Sequence, residues 1–400
     1  MSPSRSDPSA TRAIVFLALA GFASQAMVRS ADSLLPQIAV DLGVTVGAAS
    51  IIVSAYTVMH GAMQLVTGPV ADRFPKYRVI AVATAFCGFM VLLCGFAQTL
   101  TALTMARVAS GAGAAWIIPL GMAFIGDVTP YERRQQVLGR YLSGQITGQL
   151  FGQAAGGILG DLLGWRSVFF VLAAIFALAT LALVRELAIN PTTRRGGHAD
   201  KTVQPLLAGY PMVLASRWAR LVIFAVACEA ALTFGAFAYV GADLHLRFAL
   251  SFTLVGVVVG TFGIGGLVYA LTVKQLVARF GQAGLAFYGS CILGLAYLTL
   301  ALAPSPWVAP GGVTLIGLGF YMLHNTLQTN ATQMVAQARG TAVALFSGAV
   351  YLGQTVGVAL AAPVIDRVGA RPVFITAAIL LPLLGWWFSR ALRARAANSE

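Results

Sequence analysis

The sequence predicts an all-α integral membrane protein in which twelve transmembrane helices form two pseudo-symmetric six-helix bundles. Three observations support this fold class: an apolar composition, a series of segments of membrane-spanning length, and an internal repeat. Of the 400 residues, 58% are apolar and only 10% are charged, whereas about a quarter of the residues are charged in a typical soluble protein. The chain therefore has more apolar surface than a fold in water could cover.

Twelve apolar segments follow one another along the chain. Each is long enough for the roughly 20 residues that a helix needs to cross the hydrocarbon core, and the alternating pattern of a membrane β-barrel is absent. The first segment is longer than the apolar core of a signal peptide and is interpreted as a helix of the mature chain. The predicted helices cover residues 13–39, 47–70, 77–97, 100–126, 135–159, 166–188, 217–240, 251–272, 283–303, 308–332, 340–363 and 371–390.

The basic residues indicate the orientation of these helices. The net charge is +13, and most of the basic residues fall in the loops on one side of the predicted membrane. The positive-inside rule places both termini in the cytoplasm, and we expect a multi-pass protein of a bacterial inner membrane. Because the basic residues do not form a single patch, a nucleic-acid partner is not expected.

An internal repeat divides the chain into two halves. The stretch "GQLFGQAAGGILGDLLGWRSVF" begins at residue 148 and aligns without gaps to "GQTVGVALAAPVIDRVGARPVF", which begins at residue 353, an offset of 205. A duplicated six-helix unit explains this match, and two such halves around a cavity suit alternating access. The predicted organisation is a bundle over 1–189, a cytoplasmic linker over 190–215 and a bundle over 216–400.

The loop after the second predicted helix, "GPVADRFPKYR" at 68–78, carries several charges. It resembles the major facilitator superfamily signature G-x-x-x-D-R-x-G-[RK]-[RK], with Pro75 where that family has glycine. In the family this loop locks the two halves together in the outward-facing state, so the resemblance implies a conformational latch. The alternative is a solvated basic turn that obeys the positive-inside rule. The residues that match the signature are Gly68, Asp72, Arg73 and Lys76.

Two further stretches are similar to patterns of the same family. "RVASGAGAAW" at 107–116 resembles its fourth-helix pattern, and "GQLFGQAAGG" at 148–157 resembles the fifth-helix pattern of proton-coupled exporters, with Gln153 replacing a proline. Gly148, Gly152 and Gly156 form a small-residue stripe that is expected to allow close helix packing. The resemblance is to the twelve-helix drug:proton antiporter type. It implies proton-coupled efflux of small amphipathic molecules by rocker-switch alternating access.

Charged residues inside the predicted spans are the candidates for proton coupling, because ionisable groups in a membrane are functional by default. These are Asp32, Glu229 and Arg107. Arg29 and Asp32 are three residues apart and share a helix face, so they either take part in transport or form a self-neutralising structural pair. Glu229 has no opposite charge nearby in sequence, and it is either a reversible proton site or a carboxyl that is hydrogen-bonded across the bundle. By resemblance, helices 1, 4, 7 and 10 line the central cavity, which places the three candidates around one space.

Polar and aromatic residues on the predicted helices are candidates for substrate binding. His324 and Gln328 share one helix face, and Gln149 and Gln153 recur at a spacing of four. For each of these residues, ordinary packing within the bundle is the alternative interpretation. The full set of substrate-binding candidates is Arg29, Asp32, Trp116, Gln149, Gln153, Glu229, Phe234, His324, Asn325 and Gln328.

Several motifs of other function classes are absent from the sequence. There is no Walker lysine motif, no nucleophile elbow and no metal-spaced cluster of Cys and His. We therefore expect a transporter rather than an enzyme, acting as a monomer with a small-molecule substrate, protons and the lipid bilayer as partners, without a cofactor or metal. One alternative is import of an organic anion or metabolite by proton symport, with Arg29 or Arg107 binding a carboxylate. An alternative of another class is a membrane sensor or scaffold that does not transport.

Overall fold

The computed structural model describes residues 8–194, 209–335 and 338–397, except for the side chains of residues 8, 68–73, 131–132 and 135–136. Helices account for most of these residues, and no β-strand occurs among them, which confirms the predicted all-α class. Three short 3-10 helices cover Asp32–Leu34, Pro191–Arg194 and Pro306–Val308. The α-helices are α1 Pro8–Arg29, α2 Leu35–Asp41, α3 Val46–Ala49, α4 Ile51–Arg73, α5 Lys76–Phe96, α6 Leu100–Ala114, α7 Ile117–Val128, α8 Tyr131–Leu163, α9 Trp165–Ile189, α10 Gly209–Ala215, α11 Arg217–Phe237, α12 Val240–Phe248, α13 Phe252–Gly260, α14 Phe262–Leu302, α15 Ala309–Ala331, α16 Arg339–Val368 and α17 Arg371–Ala397.

The helical segments have the length and composition of membrane spans. Within the described residues, ten segments are long and apolar enough to cross a membrane. One of them, Phe252–Leu302, contains both α13 and α14, and α14 is interrupted at Gly281, where φ is +60°, a conformation that glycine adopts readily. Helix α8 is not among the ten, although its 33 residues exceed the length of a crossing. The architecture is consistent with the predicted twelve crossings.

Three predicted helices that were expected to be continuous are interrupted by turns of two residues. The first breaks at Ser30–Ala31, the fourth at Ala115–Trp116 and the seventh at Ala238–Tyr239. Pro36 and Pro119 follow the first two of these breaks within a few residues, and a proline cannot donate the backbone hydrogen bond to the carbonyl four residues before it. No proline lies near the third break. Interruptions are tolerated at membrane depth where they are buried in protein and neighbouring groups satisfy the freed backbone. All six residues at the breaks are buried except Trp116, which is half-buried.

The apolar core consists of two large clusters. One is formed mainly by α1 to α9 and the other by α11 to α17, in the arrangement expected for two bundles. The bundles meet where α4 packs on α16 and where α8 packs on α13. Residues 195–208 of the predicted linker lie outside the described part of the chain. Within the rest of that segment, the Tyr210 hydroxyl on α10 donates to the backbone oxygen of Leu65 on α4, and the domain boundaries stay a prediction.

The internal repeat is visible in the packing of the helices. A Cβ atom added to Gly152 on α8 would overlap the carbonyl oxygen of Ala26 on α1. In the second bundle, a Cβ atom at Gly357 on α16 would overlap the carbonyl oxygen of Ala231 on α11. Both partners are related by the same offset of 205, so the two bundles repeat one helix contact at the level of single residues. Other glycines of the stripes lie on the same seams: Gly148 on Phe22, Gly156 on Ser30 and Gly353 on Ala227.

Candidate functional site

The side chain of Arg29 lies where the two bundles face each other. At the end of α1, its Nη1 donates to Asp32 Oδ2 over 3.2 Å, and both side chains are buried. Its Nη2 donates to Gln354 Oε1 on α16 over 3.3 Å. The guanidinium carbon lies 3.9 Å from the ring centroid of Phe234 on α11, which is close enough for a cation–π interaction. Arg29 therefore connects the first bundle to two helices of the second.

Several polar atoms around this ion pair have no partner. Within the described part of the chain, Asp32 Oδ1, Arg29 Nε, Gln354 Nε2 and Ser33 Oγ are buried without a hydrogen bond. A buried polar group that lacks a partner costs about 1–3 kcal/mol, and such groups in native proteins usually satisfy a functional need or bind water or an ion. The cluster can therefore accept the polar groups of a ligand.

Arg107 on α6 is fully buried beside this cluster. Its Nε donates to the Ile52 carbonyl over 3.1 Å and its Nη1 to the Met27 carbonyl over 3.3 Å. The guanidinium carbon lies 4.4 Å from the centroid of the Tyr56 ring. No described carboxylate forms an ion pair with Arg107, and its Nη2 has no hydrogen-bond partner among the described atoms. It contributes a fixed positive charge to the interior of the first bundle.

The second ionisable pair lies within the second bundle. Glu229 on α11 is fully buried, and its Oε2 lies 2.8 Å from His324 Nδ1 on α15. The other carboxylate oxygen, Oε1, has no partner among the described atoms. The imidazole stacks on Phe320 with 4.7 Å between ring centroids, and 15% of its side chain is exposed. Two residues that the sequence suggested separately thus form one pair that can hold a proton on either partner.

The remaining substrate-binding candidates differ in their surroundings. Gln153 is buried, and neither of its amide atoms has a hydrogen-bond partner among the described residues. Gln149 and Asn325 are half-buried, and Gln328 is exposed. Trp116 lines a groove on the outer side of α5 and α6, away from the ion pair that Arg29 forms. Of these residues, Gln153 has the clearest unsatisfied polar groups.

The predicted latch is described only in part. Lys76 Nζ forms an ion pair with Asp127 Oδ2 over 2.6 Å, at the end of α7 in the same bundle. The side chains of Gly68, Asp72 and Arg73 lie outside the described part of the chain. The latch therefore stays a prediction.

A pair of equivalent contacts joins the bundles at the end opposite to the start of α1, which we call the far end. Asp161 on α8 accepts hydrogen bonds from Thr253 N over 3.2 Å and Thr253 Oγ1 over 2.6 Å, at the start of α13. Asp366 on α16 accepts from Gly47 N over 2.7 Å and Thr45 Oγ1 over 2.6 Å, at the start of α3. Each carboxylate thus interacts with the positive end of a helix in the other bundle. We call these two contacts the far-end clasps.

Sequence reasoning did not assign a role to the aspartates of the clasps or to Gln354. The internal repeat contained the signal, because Asp161 and Asp366 are identical residues at the offset of 205, as are Gln149 and Gln354. The identity of two residues in a repeat does not reveal what they contact. That information required the positions of α3 and α13 in the opposite bundle.

Comparison with known proteins identifies the family. The family model of the Major Facilitator Superfamily matches residues 17–358. An uncharacterized MFS-type transporter of Bacillus subtilis, YceJ, is 25% identical over 82% of this chain and 83% of its own length. The lincomycin resistance protein of Streptomyces lincolnensis is 26% identical over 87% of this chain and 82% of its own.

The fold has a counterpart among solved structures. A bacterial homologue of the human lysosomal transporter Spinster, crystallised in an inward-facing and unoccupied conformation, superposes with a TM-score of 0.76. The superposition covers 96% of this chain and 98% of the other at 16% identity, which shows a shared fold. Together with the repeated glycine contacts and the family match, this establishes that the chain belongs to the Major Facilitator Superfamily, a family of multi-pass membrane transporters rather than enzymes.

Proposed function

We propose that this protein exports small amphipathic molecules in exchange for protons, by alternating access of a central site to the two sides of a bacterial inner membrane. The observation that carries the proposal is the buried pair of Glu229 and His324, with 2.8 Å between Oε2 and Nδ1. The similarity to a lincomycin resistance protein supports an exported substrate of drug type. We further propose that the protein acts as a monomer with both termini in the cytoplasm.

The Glu229–His324 pair is suited to reversible protonation. The carboxylate is fully buried, while part of the imidazole is exposed, so a proton can reach the pair through His324. When Glu229 is ionised, its free Oε1 can attract a cationic group of the substrate. When the pair gains a proton, that attraction weakens, because the negative charge is neutralised. Proton binding and substrate binding then compete, which is what antiport requires.

The Arg29–Asp32 pair is suited to sensing the arrangement of the bundles. Arg29 contacts Asp32 in its own bundle and both Gln354 and Phe234 in the other. If the bundles rotate apart at this level, the contacts to Gln354 and Phe234 are lost, while the local bond to Asp32 can persist. A substrate with a polar group could then replace Gln354 as the partner of Arg29. The pair would thereby link occupancy of the site to the conformational change.

The contacts between bundles are concentrated toward the far end. Along α4 and α16 they run from Gly47 and Asp366 at the far end as far as Leu65 and Gly348. Along α8 and its partners they run from the clasp of Asp161 as far as Leu150, which lies against Gly263. Under the proposed topology the far end faces the outside, and we propose that the closed far end belongs to an inward-facing state. Opening to the outside requires both clasps to break.

Transport by purified protein in proteoliposomes tests the proposal. The probe is ethidium, an amphipathic cation, whose movement is driven by a pH gradient. We expect Glu229→Gln to abolish pH-driven exchange, because the amide of glutamine cannot take up and release a proton as a carboxylate can. We expect Asp32→Asn to abolish it as well, if Asp32 also carries protons. Full pH-driven exchange in the Glu229→Gln protein would refute proton coupling through this pair.

Glu186 provides a matched control. It is also a fully buried glutamate, but it lies near the end of α9, where it accepts hydrogen bonds from Arg12 and Asn190. We expect Glu186→Gln to leave the pH dependence of transport unchanged. If this variant loses pH-driven exchange to the same extent as Glu229→Gln, the effect reflects loss of any buried carboxylate rather than a specific proton site.

One observation favours a second candidate function, proton-coupled import of an organic anion. Arg107 is buried without a carboxylate partner among the described residues, and its Nη2 has no hydrogen-bond partner there. A substrate carboxylate could bind to this guanidinium. Counterflow with radiolabelled organic anions, compared with lipophilic cations, separates the two functions, because only the importer should exchange the anions.

A further inference from the structure

A groove runs along the outer side of the first bundle, between α5 and α6. It has a volume of about 590 Å³, and its walls include Phe74, Arg78, Val82, Phe86, Ala112 and Trp116. The side chains of Val82 and Phe86 are 64% and 43% exposed. The groove therefore opens sideways, toward the surface that the membrane surrounds, and it is separate from the Arg29 site between the bundles.

The groove has a charged residue at one end and apolar walls along the rest of its length. Arg78 lies in the first turn of α5, and Phe86 follows eight residues later, which corresponds to about 12 Å along the helix. The floor is formed by Ala112 and Gly113. A Cβ atom at Gly113 would lie 3.0 Å from the Phe86 ring, so the small residue keeps the groove open. A guanidinium above a narrow apolar channel matches the headgroup and upper acyl chain of a lipid.

The second bundle contains a similar groove that serves as an internal comparison. It has a volume of about 660 Å³. In this part of the repeat the offset is 206, because Gly319 contacts Gly289 and Leu293 as Gly113 contacts Ala83 and Cys87. At that offset five lining residues of the second groove correspond to lining residues of the first: Phe280, Tyr288, Ile292, Leu318 and Met322. Gly284 occupies the position that corresponds to Arg78. The two grooves therefore share their apolar character, but a basic residue is part of the lining only in the first groove.

The charge of Arg78 is available to a ligand. Its side chain is exposed, and no hydrogen bond or ion pair joins it to another side chain in the described part of the chain. A neighbouring carboxylate at this end of the bundle, Asp127, is paired with Lys76 and so does not compete for Arg78. We propose that the first groove binds an anionic phospholipid, with the headgroup phosphate on Arg78 and one acyl chain along Val82, Phe86 and Trp116.

Fluorescence quenching of Trp116 tests this proposal directly. The full-length protein is reconstituted in phosphatidylcholine vesicles that contain a small fraction of brominated phosphatidylglycerol or, in a second series, brominated phosphatidylcholine. Because the chain has 6 tryptophans, the signal of Trp116 is taken as the difference between the native protein and Trp116→Phe. We expect a roughly fivefold preference for the anionic lipid, the size of the attraction that one basic residue near a membrane surface provides. Equal quenching by the two lipids would overturn the proposal.

Three variants separate the proposed site from general surface charge. Arg78→Gln should remove the preference for the anionic lipid. Arg279→Gln is the matched control, because Arg279 is also exposed and lies near the second groove, with its guanidinium carbon 5.5 Å from the Phe280 ring centroid; the preference should persist. Ala112→Phe should fill the groove and reduce quenching of Trp116 by both lipids. An equal loss of preference in the two arginine variants, or an unchanged preference in Arg78→Gln, contradicts the assignment.

Discussion

The far-end clasps should control which side of the membrane the central site faces. Asp161 and Asp366 each accept one backbone and one hydroxyl hydrogen bond from the first residues of a helix in the opposite bundle. Replacement of both aspartates by alanine removes these bonds without changing the interior of either bundle. We therefore predict that Asp161→Ala together with Asp366→Ala shifts the protein toward the state that is open at the far end.

The size of the shift follows from the bonds that are lost. Loss of a side chain that caps a helix N-terminus costs about 0.5–2 kcal/mol, and hydrogen bonds to charged groups lie at the upper end of this range. With about 1–2 kcal/mol per clasp, the double variant should change the equilibrium by roughly 30-fold to 900-fold. If the far-end-open state has a population of about 1% in the native protein, its population should rise to between about a quarter and nine-tenths.

Distance measurements between spin labels can detect this change. Suitable label positions are Phe96 at the end of α5 and Trp307 in the second bundle, which are 64% and 76% exposed at the far end. Both are replaced by cysteine in a protein whose 4 native cysteines have been removed. The native clasps should give mainly one short distance, and the double alanine variant should add a population at longer distances. Each single variant should have about half of the effect in free energy, because the two clasps break in the same transition.

Asp41 provides the control for this experiment. It is also a far-end aspartate, with Oδ2 at 2.6 Å from Arg166 Nη1 and 3.1 Å from Trp165 Nε1, but all three residues belong to the first bundle. Asp41→Ala should therefore leave the distance distribution unchanged. The reasoning is refuted if the double clasp variant keeps the native distribution, or if Asp41→Ala shifts it equally.

Two further predictions concern the packing of the helices and the contact between the bundles. Gly152→Val should lower the melting temperature of the purified protein, because overpacking against the backbone of Ala26 costs about 1–3 kcal/mol or more. Gly139→Val should have a much smaller effect, because a Cβ atom at Gly139 meets nothing within 4 Å. Equal losses in the two variants would contradict the close packing of α1 and α8. Gln354→Leu should slow transport roughly tenfold in proteoliposomes and lower the melting temperature, because it leaves the buried Arg29 Nη2 without its acceptor in the second bundle. A native transport rate would show that this bond is not part of the cycle.

Sequence reasoning succeeded for features that depend on local composition and spacing. The apolar segments predicted the helices because the hydrocarbon core requires about 20 apolar residues for each crossing. The spacing of Gly148, Gly152 and Gly156 indicated a seam for close packing, and a backbone of another helix does lie against each of these glycines. The resemblance at 68–78 and 107–116 indicated the family to which the chain belongs.

The sequence by itself determined that the chain is a helical membrane transporter with an internal repeat. A lipid bilayer requires long apolar segments, which the composition shows, and the duplication leaves identical residues at a fixed offset. Only the tertiary structure decided which polar residues meet. His324 is 95 residues from Glu229, Gln354 is 325 from Arg29, and Asp366 is 319 from Gly47. Such pairs form because helix packing brings residues that are far apart in the sequence into hydrogen-bonding distance. The periodicity of one helix does not indicate which residues of another helix will pack against it.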